Sequence, residues 1–88
     1  MSYLPLPVSK DKNNVSVKSY TRREWYEKLS EELLEAHATS GDDEAEELVD
    51  IIAVAISYLN ATGYDAVARE ALYRRVNDKN YRRGYFDE

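Results

Sequence analysis

From Ile51 to Leu59 the chain is apolar on nearly every side of a helix, with Ser57 as the main interruption. A surface helix carries a single apolar stripe, so a segment of this kind has to be central and covered from more than one direction. Ala45, Leu48, Ile52, Ala55, Ile56 and Leu59 form its main apolar face. Ile51, Val54 and Tyr58 form a second stripe that continues from Glu47. A chain of 88 residues has little left to cover both. The second stripe is therefore expected to be covered by something outside the monomer.

The neighbouring elements can be placed from their end signals. Thr21-Arg22-Arg23-Glu24 has the capping-box form, which starts a first helix running to about Ala38 and ending in Thr39-Ser40-Gly41. Asp42 and Asp43 open the second helix, and Gly63 is expected to end it in a left-handed conformation. Asp65 caps a third helix that reaches about Lys79 or Asn80 and stops by Gly84. Residues 1–19 hold both prolines and a polar run from Lys10 to Asn14, and offer Val15, Val17 and Tyr20 as a short extended piece. They read as an extended N-terminal arm, lying over a neighbouring subunit or mobile, with residues 20–88 as the domain. The expected class is all-α, with three to four helices plus this arm, completed as a bundle when two or four copies associate.

Two acidic segments fall where core residues belong. On the first helix Trp25, Leu29, Glu32 and Ala36 share one face, flanked by Tyr26 and Leu33, while Lys28, Glu31 and Glu35 lie to one side. On the second helix Glu47 heads an apolar stripe and Asp50 follows about one turn later. Carboxylates three apart on a helix are usually a solvated face, but such a face would not place Glu32 and Glu47 inside apolar lines. A hard divalent cation with oxygen ligands resolves the conflict. The candidate ligands are Glu32, Glu35, Glu47 and Asp50, with Glu31 beside them, and the candidate ions are Mg²⁺ and Mn²⁺.

Other chemistries fit less well. There is no cysteine, and the single histidine, His37, follows Glu35 by two residues where a di-iron carboxylate bundle needs Glu-x-x-His. No serine has a plausible histidine partner, and the glycines at 41, 63 and 84 form no phosphate loop. Metal-assisted attack of water on a phosphoanhydride remains, with one of the carboxylates as base.

The charge pattern adds a second requirement. A net charge of −5 argues against a nucleic-acid polymer as partner. Basic residues nonetheless gather between positions 69 and 83, six arginines and lysines in all. Lys79 and Arg83 extend the line Ala68, Leu72, Val76 and, with Asn80, are the candidate phosphate contacts. No apolar run is long enough to span a membrane and the N-terminus does not read as a leader, so a soluble cytoplasmic protein without membrane partners is expected.

Glu31-Glu32-Leu33-Leu34-Glu35 followed by Glu47-Leu48-Val49-Asp50 resembles the EExxE and ExxD signature of the MazG-like all-α nucleoside triphosphate pyrophosphohydrolases. The ending Lys79-Asn80-Tyr81-Arg82-Arg83-Gly84-Tyr85-Phe86 is similar to the basic segment after the third main helix of that family. The resemblance covers residues 21–86 and implies Mg²⁺-dependent cleavage of a nucleoside triphosphate to monophosphate and pyrophosphate. It also implies metal ligation by Glu32, Glu35, Glu47 and Asp50, with Glu31 matching the first acid, and sites shared between subunits of a homodimer or homotetramer. The eleven residues between Glu35 and Glu47 are at the short end for the family. Two other functions compete with this one: a non-enzymatic helical interaction module, and a phosphoribosyl-ATP pyrophosphohydrolase-like activity.

Overall fold

The computed structural model describes residues 3–86. They form three α-helices, α1 (Arg22–His37), α2 (Gly41–Ala61) and α3 (Ala66–Arg82), preceded by a single 3₁₀ turn at Val17–Ser19. The chain is all-α, with neither a β-strand nor a fourth α-helix among the described residues.

Local chemistry sets the helix ends. Glu24 N–H donates to Thr21 Oγ1 at 3.1 Å and Thr21 N–H donates to Glu24 Oε1 at 2.8 Å, the reciprocal pair of a capping box. Gly63 has φ +104° and closes α2 with two bonds, Gly63 N–H to Asn60 O and Tyr64 N–H to Leu59 O. That pairing satisfies carbonyls that the helix end would otherwise leave free. Asp65 Oδ1 accepts from Ala68 N–H at 3.0 Å and starts α3. α3 runs beyond Asn80 to Arg82, because its own closing pair comes only with Gly84 and Tyr85.

α1 and α2 form an antiparallel pair, with Trp25 at the start of one stacked on Tyr58 near the end of the other. Their ring centroids are 5.2 Å apart and nearly parallel. Trp25 is only 2% exposed and also packs tilted against Tyr20, while Val17 and Val54 fill the space beside it. From its second stripe α2 thus turns Val54 and Tyr58 toward this cluster, joined by the buried Ser57. The second stripe, expected to be covered from outside the monomer, is therefore covered in part by α1. The larger face is covered only in part: Ile56 is buried, while Leu48 is 49% and Ile52 45% exposed. Tyr58 supplies a flat partner for the indole, whereas the larger face shares an apolar hollow with Leu4 of the arm and Tyr73 of α3.

The arm also departs from expectation, since it folds onto its own helices. Val8 N–H donates to Ser57 Oγ at 3.0 Å, and Ser57 in turn donates to Ala53 O, which satisfies a fully buried hydroxyl twice. Residues 9–17 double back through an antiparallel bridge between Lys10 and Ser16. Asp11 organises that turn: its Oδ1 accepts from Asn13 and Val15 N–H, and its Oδ2 accepts from Tyr20 Oη at 2.7 Å. The Tyr20 bond holds the Asp11 carboxyl below its usual range and, with burial, pushes the Tyr20 phenol up to about 12.

α3 touches α2 sparingly, mainly through its first half. Its one buried residue is Arg69, whose guanidinium donates to Asn60 Oδ1 and Tyr64 O, both at 2.8 Å. The expected inward line fades along the helix, with Val76 already exposed.

Candidate metal centre

Antiparallel packing sets the middle of α1 against the first half of α2. Glu32 comes from α1, and Glu47 and Asp50 from α2, so that one carboxylate oxygen from each lies within 4.8 Å of the others. Glu32 is buried, 8% exposed, because it occupies the Trp25–Ala36 face that α1 presses onto α2. Glu47 is half-buried and Asp50 exposed, so the three grade from the interior to the surface.

Packing leaves this group electrostatically unresolved. Lys28 Nζ approaches Glu32 Oε1 no closer than 3.7 Å, an ion pair without a good hydrogen bond. Glu47 Oε2 is shielded from solvent and accepts no hydrogen bond from the described residues. Burial, reinforced by the negative charge of Glu35, raises the pKa of Glu32 above the usual carboxylate range, against the pull of Lys28. Burial likewise raises Glu47, followed by the charges of Glu35, Asp50 and Glu32.

These residues fit a cation on two counts. The donors are all carboxylate oxygens, which suit hard divalent ions as a class; oxygens opposite each other around Mg²⁺ are about 4.2 Å apart for bonds of about 2.1 Å. A bound cation would also give the orphaned Glu47 oxygen a partner.

The other expected site residues are distributed unevenly. Glu35 lies outside the three-oxygen group but lines the same cavity of about 330 Å³ as Glu32 and Asp50. Glu31 faces a different surface hollow, with Glu24 and Glu27, and is not brought into the group. No residue of α3 or of the segment that follows it lines the cavity, so within one chain Lys79, Asn80 and Arg83 are not part of it.

Two residues unforeseen from the sequence do line it. Lys10 and Lys12 of the arm stand on its wall together with Lys28. The only sequence signal was the polar run itself, which carries no periodicity to say where it folds. Comparison of the chain with protein-family models, with curated proteins and with solved structures finds no match.

Proposed function

We propose that the chain is a metal-dependent nucleoside triphosphate pyrophosphohydrolase of the MazG-like kind that its motifs resemble, acting in the cytoplasm as a homo-oligomer. The observation that carries this reading is the buried Glu32 carboxylate grouped with Asp50 and with a Glu47 oxygen that has no partner. Glu32, Glu47 and Asp50 would hold the ion, with Mg²⁺ as the first choice. When bound, the metal supplies charge neutralisation at the phosphoanhydride and lowers the pKa of water. Glu35 is the neighbouring carboxylate left to take a proton from the attacking water, since it lines the cavity outside the three-oxygen group.

The test is a substrate panel of NTPs and dNTPs with Mg²⁺. Pyrophosphate release is expected, and Glu47→Gln or Asp50→Asn should abolish it while the fold persists. No turnover across the panel, or release of orthophosphate alone, would sink the proposal.

The half-exposed Leu48 and Ile52 support a second reading, a helical interaction module without chemistry. It predicts no Mg²⁺-dependent rise in melting temperature, whereas a metal that binds only the folded form raises it by mass action.

A further inference from the structure

A metal–nucleotide brings more than a cation to this cavity. Its phosphate chain carries several negative charges, and the wall it would meet already holds Glu32, Glu35 and Asp50. A divalent ion cannot offset all of these, so the site needs further cations. The basic end of α3 does not line the cavity, and Lys28 is already paired with Glu32.

Lys10 and Lys12 stand where those cations are needed. Both line the cavity, both are exposed, and neither forms an ion pair with any described residue. They are also held on a built loop. Val8 N–H is bonded to Ser57 before them, Asp11 between them receives two backbone N–H groups and the Tyr20 hydroxyl, and Val17 after them is buried beside Trp25. A loop anchored on both sides loses little backbone freedom when its side chains engage an anion.

We propose that the N-terminal arm is the phosphate-binding wall of the site, with Lys10 and Lys12 gripping the phosphate chain of a metal-bound nucleotide. This rests on the metal–nucleotide reading above and assigns the phosphate contacts to the arm rather than to Lys79 and Arg83. The ammonium groups are flexible point charges that can follow a phosphate chain as it is cleaved. Lys28 becomes a third contact when a metal draws Glu32 away from it.

The full chain carrying Lys10→Gln and Lys12→Gln together separates the two levels. Titration calorimetry is run with Mg²⁺ alone, then with inorganic pyrophosphate and with a non-hydrolysable nucleoside triphosphate in saturating Mg²⁺. The double variant should keep its melting temperature and its Mg²⁺ affinity, because both side chains are exposed. It should lose about tenfold or more in affinity for pyrophosphate and nucleotide alike. Should the double variant melt lower, Lys12→Gln alone carries the test, with a smaller loss in the same direction. Unchanged affinity for both anions overturns the assignment, as does a loss confined to a Lys79→Gln, Arg83→Gln control. A wild-type chain that binds neither Mg²⁺ nor pyrophosphate would instead remove the metal–nucleotide reading, and the assignment with it.

Discussion

Glu32 is buried at the α1–α2 contact with two acids, Glu47 and Asp50, on the facing helix and a single loosely placed lysine. Its effect on stability depends on what neutralises it. In the metal-free protein the folded state holds the protons of Glu32 and Glu47 more tightly than the unfolded chain, whose carboxyls titrate near 4.5. The native state therefore binds more protons over the interval from 4.5 up to the raised values, and stability falls as pH rises through it. Protein stripped with a chelator should melt higher at about pH 5 than at about pH 7.5. Glu32→Gln should lessen that difference and add on the order of 1 kcal/mol at neutral pH, while losing the Mg²⁺-dependent rise in melting temperature. A variant that is less stable than wild type without metal, or that still responds to Mg²⁺, would show that Glu32 is not a ligand held at the expense of the apo fold.

At the scale of the elements, Tyr58 of α2 meets α1 twice, stacked on Trp25 and edge-on to Tyr26, and Trp25 is the buried partner. Trp25→Ala removes the ring that Tyr20, Val17, Val54 and Tyr58 surround, and should cost about 3–5 kcal/mol in chemical denaturation. A loss below about 1 kcal/mol would mean that the indole is peripheral. The helices themselves were readable because their signals are local: Thr21 with Glu24, Asp65, and Gly63 each act within a few residues. The burial of Glu32 was readable for the same reason, since the helical period alone puts it between Trp25 and Ala36. The inward side of α2 was not readable, because both stripes are apolar and the choice depends on a stacking partner more than thirty positions away. Arg69 counts in the sequence only as one of six basic residues between positions 69 and 83, and its burial depends on Asn60 and Tyr64 O as partners for the guanidinium. The turn around Asp11 depends on Ser57 and Tyr20, which no periodic pattern in the arm can announce.

The molecule as a whole is more open than its length requires. Its radius of gyration is 14.7 Å, against about 12 Å for a compact domain of this size. α3 is joined to α2 mainly at one end, and Leu48 and Ile52 remain half-exposed on the larger face of α2. An exposed apolar face on a central helix is the signature of a surface that associates. Light scattering should find a dimer or tetramer for the wild type and a monomer for Ile52→Lys; a monomeric wild type would remove the oligomer from the proposal. The bond from Val8 N–H to Ser57 Oγ has a consequence for how this chain tolerates change. Because the arm is pinned there and again at the buried Val17, the segment between them cannot gain or lose a residue without moving Lys10, Asp11 and Lys12. A single deletion between the pins would pull both lysines out of register with the cavity, leaving the helices and the carboxylates of α1 and α2 where they are. Homologous chains that keep the chemistry should therefore keep the length of this loop along with Asp11 and the two lysines, and vary at the exposed positions between Lys12 and Val17.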